Sequence, residues 1–252
     1  MCVKTRLNLS YVNSLFLERH RHCGIEHGMT DELSSLLRGR SLPHFIAIEG
    51  VIGVGKTTLA RRLSQTFQYQ TILEDPSSNP FLTKFYEDMR QHALATQLSF
   101  LFQRTQAIQA LRQSDIFAPL HVSDFMLQKD PLFARLTLNA EEYELYDKVY
   151  QQMTVDVPRP DLVIYLQAPT DVLLSRIQRR GVASERRISS DYLNQLNQAY
   201  SEFFLYYDDS PLLIVNASDI DLASSDADYH NLVNYFLDIR SGRHYFNPTF
   251  FG

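Results

Sequence analysis

Short apolar runs alternate along this chain with longer stretches in which apolar residues recur every three or four positions. The short runs predict buried β-strands, because a strand that is covered on both faces is apolar throughout. The longer stretches predict amphipathic helices, which place their apolar residues on one side. The predicted strands are 45–49, 71–75, 116–124, 160–168 and 211–217, and the predicted helices are 57–68, 79–91, 94–112, 141–153, 170–180, 189–207 and 227–240.

This alternation predicts an α/β fold, a three-layer sandwich in which a parallel five-stranded sheet carries helices on both faces. No repeat or linker interrupts residues 44–252, so we expect them to form a single domain. Residues 1–43 are predicted to be an N-terminal extension that is partly disordered. Its first 28 residues are basic and lack the apolar core of a secretory signal, and Met29 is a more natural functional start. A mitochondrial transit peptide is the weaker alternative, because Glu18 and Glu26 interrupt it.

Charge and cysteine content exclude several classes of protein. The net charge of −5 gives no general attraction to nucleic acid or to an anionic membrane, so we expect neither partner. No apolar run approaches the ~18–20 residues that cross a bilayer. Cys2 and Cys23 form no C-x-x-C pair, which argues against a disulfide framework or a zinc site and fits a reducing cytoplasm.

The stretch IEGVIGVGKTTLARRL follows the first predicted strand and opens the first predicted helix, which is the context of a phosphate-binding loop. Backbone N–H groups and the helix N-terminus attract phosphate oxygens there. Lys56 would neutralise the β- and γ-phosphates of a nucleotide, and the Thr57 hydroxyl would coordinate Mg²⁺. The predicted nucleotide-binding residues are Gly50, Val51, Ile52, Gly53, Val54, Gly55, Lys56, Thr57 and Thr58.

Carboxylates end two further predicted strands, Glu74 and Asp75 at the second and Asp124 at the third. In open α/β sheets these strand ends line the ligand crevice. Asp124 is predicted to support Mg²⁺ together with Thr57, which leaves Glu74 or Asp75 free to accept a proton from an acceptor hydroxyl. Because the chain also lacks the N-K-x-D motif of GTPases and the L-S-G-G-Q motif of transport ATPases, phosphoryl transfer is favoured over a switch or a pump.

Two helical segments supply candidate contacts for the acceptor and the transferred group. Gln97 and Arg104 are two helical turns apart and share a face that could bind a planar base. Taken alone, such a stripe is more often explained by packing with a surface ion pair. The segment SRIQRRGVASERR predicts an Arg-rich lid, in which Arg176 and Arg180 stabilise charge on the transferred group. A solvated basic surface loop is the alternative.

Several motifs together resemble the deoxynucleoside kinases, in their bacterial branch. They are IEGVIGVGKTTL, LEDPSSNPFLTKFYED, TQLSFLFQR, VSDFMLQKDPLFA, PDLVIYLQAP, RIQRRG and SPLLIVNASDID, and they cover about residues 45–248 in order and spacing. The resemblance implies phosphorylation of the 5′-hydroxyl of a deoxyribonucleoside by ATP with Mg²⁺, by an enzyme that is usually a homodimer.

The resemblance also implies roles for individual residues. The catalytic carboxylate of the family precedes a proline, so it matches Asp75 by alignment and Glu74 by residue type, with a slight preference for Glu74. The remaining matches are Gln97 and Arg104 for the base, Tyr86 and Glu185 for the sugar, and Asp130 as the partner of Arg104. An Arg104–Asp130 pair resembles members that accept deoxyadenosine, deoxyguanosine or deoxycytidine rather than thymidine.

Two departures from the family pattern concern the charges around the phosphates. Phe125 follows Asp124 where the animal enzymes have an arginine that acts on the phosphate side of the site. That role is therefore lost or moved to another residue, with Lys129 as a candidate. Val182 stands where many relatives have a lid arginine, so Arg186 or Arg187 would substitute. The alternatives to a deoxynucleoside kinase are a nucleoside monophosphate kinase and a non-catalytic nucleotide-binding regulator.

Overall fold

The computed structural model describes residues 37, 39–109, 119–155 and 157–248. The fold below is that of the unit that begins at Pro43. Most of the predicted N-terminal extension, including the proposed start at Met29, lies outside the described residues. Among the described residues, no helix has both the length and the apolar composition that a membrane span requires.

A six-stranded parallel sheet forms the centre of this unit, in the order β2-β3-β1-β4-β5-β6. Ile46 pairs with Val122 on one side and with Leu162 on the other, so β1 is a central strand. All five residues of β1 are buried, which explains the apolar run over residues 45–48 that precedes Glu49. The strands are β1 Phe45–Glu49, β2 Gln70–Ile72, β3 His121–Ser123, β4 Leu162–Gln167, β5 Leu212–Asn216 and β6 Arg243–Phe246.

Eight α-helices connect and flank the strands in the described part of the chain. They are α1 Lys56–Phe67, α2 Leu82–Glu87, α3 Met89–Gln109, α4 Asp130–Thr137, α5 Ala140–Met153, α6 Thr170–Arg180, α7 Ser190–Tyr206 and α8 Asp226–Phe236. Helix α7 packs on β4 through Phe204, whose ring stacks on Tyr165 at a centroid distance of 4.1 Å. Helix α8 is tied to α1, because the Tyr229 hydroxyl donates a hydrogen bond to the Thr66 hydroxyl at 2.7 Å.

The prediction of a parallel sheet flanked by helices is confirmed, but the count of five strands is wrong. The sixth strand, Arg243–Phe246, extends the sheet beyond β5. Only Phe246 in it is buried, so this edge strand carries almost none of the apolar signal that marks the inner strands. The second and third strands are shorter than predicted, and residues 116–118 of the predicted third strand lie outside the described part.

The order of the strands fixes where a ligand can bind. The chain runs from β1 outward to β2, returns through β3, and then crosses to β4 on the other side of β1. The crevice at such a reversal lies at the carboxyl ends of the central strands. Gly50, Asp124 and the segment that follows β2 all lie at these ends.

Candidate active site

The predicted nucleotide-binding residues from Gly50 to Thr58 form the loop between β1 and α1 and the first three residues of α1. Lys56 is the first residue of α1, and its Nζ donates a hydrogen bond to the carbonyl of Gly50 at 2.7 Å. Burial and the nearby charge of Lys129 outweigh the opposing carboxylates and lower the pKa of Lys56 to about 8. The lysine is therefore folded over its own loop, at the place where phosphate oxygens bind in loops of this type.

Gly50 is required by packing as well as by its backbone conformation. Its φ is 144°, and a Cβ added there would lie 2.4 Å from the carbonyl oxygen of Leu166 in β4. Gly55 also has a positive φ, of 111°, but a Cβ there would meet nothing within 4 Å. The first glycine of the loop thus allows a close approach to the neighbouring strand, whereas Gly55 serves the turn alone.

Thr57 and Asp124 meet beside this loop, as predicted for a pair of metal ligands. The Thr57 hydroxyl donates to Oδ2 of Asp124 at 2.5 Å, and Oδ1 of the same carboxylate accepts the backbone N–H of Glu74 at 2.8 Å. Two oxygen donors fit Mg²⁺, which is usually bound through one or two protein oxygens together with phosphates and water. In the described residues no group of three His, Cys, Asp or Glu side chains could hold a metal by itself.

Glu74 and Asp75 are adjacent in sequence but differ in their surroundings. Oε1 of Glu74 accepts a hydrogen bond from Nε of Arg104 at 2.5 Å and lies 3.9 Å from Nζ of Lys129. Burial raises the pKa of Glu74, but Arg104, Lys129 and Lys56 together outweigh burial and lower it to about 2. Asp75 is exposed and instead accepts the backbone N–H of Ser77 at 3.0 Å, at the start of a short 3-10 turn. Of the two candidates, only Glu74 is directed toward the other charged groups.

Arg104 joins the predicted base-binding and proton-accepting residues. It forms ion pairs with both Glu74 and Asp130, and the side chains of Arg104 and Asp130 are only 5% and 1% exposed. The predicted Arg104–Asp130 pair is therefore present, and the second pair, with Glu74, is an addition. Because two carboxylates already balance this guanidinium, it is poorly suited to bind the phosphate that a nucleoside monophosphate kinase would have to accept.

The other predicted substrate-binding residues surround this pair. The Gln97 side chain is buried and donates from Nε2 to the Thr137 hydroxyl at 3.3 Å, and the ring of Phe100 lies 4.8 Å from Cζ of Arg104. Burial raises the pKa of Tyr86 well above its usual value, and the charges of Glu185 and Glu74 add to the increase. The Gln97 amide, the Arg104 guanidinium and the Tyr86 phenol therefore lie in one region of the structure.

Three arginines of the predicted lid have partners in this structure. Arg180 forms an ion pair with the buried Glu185, and Arg187 forms one with Glu87. Arg176 donates to the carbonyl of Val54 in the phosphate loop at 3.2 Å and to that of Ala217 after β5 at 2.7 Å. Arg176 therefore braces the phosphate loop against the end of β5, and its contact with a transferred phosphoryl group stays a prediction.

One buried carboxylate of the site was not predicted. Glu49 is the last residue of β1 and is completely buried, although it was counted only as part of an apolar strand. Its carboxylate accepts the Met126 N–H at 2.6 Å and the Tyr200 hydroxyl at 3.1 Å, and it lies 3.4 Å from Nζ of Lys129. A charged residue that closes a fully apolar strand directly before a phosphate loop is the sequence signal that could have identified it.

The comparison with protein families agrees with this geometry. Residues 46–239 match the family model described as deoxynucleoside kinase. The chain belongs to the deoxynucleoside kinase family. It is thus an enzyme of the class expected from the motifs, and the six-stranded sheet is the central sheet of the kinase.

Individual relatives are similar over most of the kinase. A deoxyguanosine kinase of Bacillus subtilis is 39% identical over 160 residues, which are 62% of this chain and 76% of the relative. A deoxyadenosine/deoxycytidine kinase of the same organism is 28% identical over 204 residues, or 77% of this chain and 92% of the relative. The solved structure of a deoxyadenosine kinase from M. mycoides with bound dATP superimposes with a TM-score of 0.67 at 26% identity, covering 76% of this chain and 98% of that one.

Proposed function

We propose that this kinase transfers the γ-phosphoryl group of ATP to the 5′-hydroxyl of a purine deoxyribonucleoside, deoxyguanosine or deoxyadenosine. One observation carries the proposal: the Asp124 carboxylate accepts hydrogen bonds from both the Thr57 hydroxyl and the Glu74 backbone. Asp124 thereby fixes the phosphate loop next to Glu74, the carboxylate that is suited to receive a proton. Phosphoryl transfer depends mainly on such positioning and on electrostatic stabilisation.

Glu74 is the proposed catalytic base. With a pKa of about 2 its carboxylate is ionised throughout the neutral range and is available to an incoming hydroxyl. Arg104 holds Oε1 in place and balances its charge. As the 5′-oxygen bonds to phosphorus and the bond to the leaving ADP breaks, the hydroxyl proton passes to Glu74. Asp75 is not proposed for this role, because it is exposed to solvent.

The donor side of the site is proposed to hold ATP on the loop from Gly50 to Thr58. Lys56 would leave the Gly50 carbonyl and contact the phosphates, which offer a charged acceptor in place of a neutral one. Thr57 and Asp124 would hold Mg²⁺, which neutralises charge on the phosphates when bound. Arg176 and Arg180 are the proposed lid contacts with the transferred group.

The buried pair in the acceptor site supports a base that carries an N–H donor, and the relatives favour a purine among such bases. Oδ2 of Asp130 is buried and has no hydrogen-bond partner within the described ranges. A carboxylate oxygen accepts hydrogen bonds, and guanine and adenine both present N–H donors on their base-pairing edges. The deoxyguanosine kinase and the deoxyadenosine/deoxycytidine kinase of B. subtilis support the same class of substrate, with deoxycytidine as the third candidate. Gln97 is proposed to bind the base as well, and Tyr86 and Glu185 the sugar.

The active enzyme is proposed to be a homodimer in the cytoplasm. Helices α3 and α5 pack together, and each exposes a large apolar side chain, Phe102 on α3 and Leu145 on α5, which are 54% and 51% exposed. These two side chains are the proposed contact surface for a second copy, because exposed apolar patches mark sites of protein association. Light scattering should give the mass of a dimer, and Phe102→Glu with Leu145→Glu should give the monomer.

Incubation of the purified chain with ATP, Mg²⁺ and each of the four deoxyribonucleosides tests the proposal. We expect 5′-monophosphate from deoxyguanosine and deoxyadenosine, less from deoxycytidine and least from thymidine. Phosphorus NMR of the product would show whether the ester is on the 5′-oxygen. Turnover only with a nucleoside monophosphate, or no turnover with any acceptor, would contradict the proposal.

A further inference from the structure

Glu49 connects three separate segments of the kinase through one buried carboxylate. Oε2 accepts the N–H of Gly50, the first residue of the phosphate loop, at 3.1 Å. Oε2 also accepts the hydroxyl of Tyr200, in the helix that follows the lid, at 3.1 Å. Oε1 accepts the N–H of Met126, two residues after Asp124, at 2.6 Å. The hydrogen-bond donors to Glu49 thus come from three parts of the proposed active site: the phosphate loop, the helix that follows the lid, and the segment that follows Asp124.

Lys129 lies between this carboxylate and the proposed base. Its side chain is only 2% exposed, and its Nζ is 3.4 Å from Oε1 of Glu49 and 3.9 Å from Oε1 of Glu74. The ring of Phe133 lies 5.7 Å from the same nitrogen. A buried ammonium must remain close to a negative charge, since an unpaired charge in the interior is costly. Glu49 is the nearer of the two carboxylates.

We propose that Glu49 is a positioning residue that holds Lys129 away from Glu74, so that Glu74 can receive the acceptor's proton. This inference rests on the proposed function. Without the charge of Glu49, Glu74 is the remaining close counterion for Lys129. Lys129 would then move onto Oε1, the oxygen that Arg104 already contacts. Two cations on one carboxylate leave it a poor acceptor for an incoming hydroxyl.

The alternative is a purely structural role, in which Glu49 anchors the phosphate loop through Gly50. The two roles predict different kinetic effects. An altered phosphate loop weakens ATP binding and raises its KM, whereas a misplaced Lys129 lowers kcat and leaves the KM for ATP nearly unchanged. Only the second effect depends on Lys129 being present.

A double-mutant cycle with Glu49→Gln and Lys129→Met makes this distinction. Glutamine keeps an oxygen for the Met126 N–H but removes both the charge and the acceptor of the Gly50 N–H, so it tests the two roles together. Methionine removes the cation at similar volume. We expect Glu49→Gln to lower kcat about tenfold or more with the KM for ATP within about threefold. In the Lys129→Met background the same change should cost less than about threefold, because no cation remains to be misplaced.

Three results would each overturn the inference. They are an equal loss of kcat in both backgrounds, an effect of Glu49→Gln confined to the KM for ATP, and a fully active Glu49→Gln enzyme. If Lys129→Met has no measurable turnover, Tyr200→Phe decides, since it removes a hydrogen bond to Glu49 and leaves the ion pair. Near-normal kcat in Tyr200→Phe beside a low kcat in Glu49→Gln supports the inference, and equal losses contradict it. Wild-type turnover and its loss in Glu74→Gln, measured in the same assay, test the proposed function separately.

Discussion

Arg104 donates a hydrogen bond from Nε to Oε1 of Glu74 at 2.5 Å, and the same guanidinium is paired with Asp130. One side chain therefore contacts both the residue proposed to recognise the base and the residue proposed to accept the proton. Binding of the acceptor base and readiness of the catalytic carboxylate are coupled through this arginine. A change at Arg104 should consequently alter chemistry as well as affinity.

Arg104→Gln tests this coupling through the pH dependence of the reaction. Burial raises the pKa of Glu74 and Arg104 is the largest opposing influence, so the variant should have a higher Glu74 pKa. In the wild type, a pKa of about 2 keeps Glu74 ionised down to pH 4, and kcat/KM for the nucleoside should show no acid limb from it. The variant should acquire an acid limb above pH 4. Identical acid sides in the two profiles would contradict the coupling.

The alkaline side of the profile should report Lys56. Its pKa is lowered to about 8, so the charged form predominates below that pH and is lost above it. Because kcat/KM describes the free enzyme, kcat/KM for ATP should fall as the pH rises through about 8. Lys56→Arg, which stays protonated at every assay pH, should remove this limb even if its activity is lower. An unchanged limb in Lys56→Arg would assign it to another group.

Asp130→Asn should change the choice of base. The substitution replaces one carboxylate oxygen by an N–H₂ donor and removes a counter-charge of Arg104. We expect kcat/KM for deoxyguanosine and deoxyadenosine to fall about 10-fold to 100-fold, because a site built to hydrogen-bond a substrate discriminates strongly. Steady-state kinetics with each nucleoside measures the ratio. An equal loss with all four nucleosides would show that Asp130 supports Arg104 without reading the base.

The two glycines of the phosphate loop should differ in their tolerance of alanine. Gly55→Ala introduces a Cβ into open space at a positive φ, so it should cost about 1–2 kcal/mol of unfolding free energy. Gly50→Ala adds a clash with the Leu166 carbonyl, so it should cost about 2–4 kcal/mol. Urea unfolding of both variants, followed by circular dichroism, gives the comparison. If Gly50→Ala is as stable as Gly55→Ala, strand β4 must shift at little cost in free energy to relieve the clash.

The sequence was most informative about residues whose positions are fixed by the local succession of strand, loop and helix. Lys56 and Thr57 were predictable because they lie where a glycine loop joins a strand to a helix, and Asp124 because it directly follows a strand of the same parallel sheet. Sequence alone could not separate Glu74 from Asp75, since the direction of each side chain depends on Arg104 and Lys129, which are distant in the chain. It also missed β6, which buries one residue, and Glu49, whose role arises from contacts with Met126 and Tyr200.

The most direct test of the account compares phosphoryl transfer to deoxyguanosine by the wild type, Glu74→Gln and Asp75→Asn. Each rate is measured in a single turnover with ATP and Mg²⁺. Glu74→Gln should slow the transfer about 100-fold to 10,000-fold, as expected for loss of a general base. Asp75→Asn should stay within about threefold of the wild type, because a surface substitution away from the site has little effect. A fast Glu74→Gln enzyme beside an inactive Asp75→Asn enzyme would contradict the account.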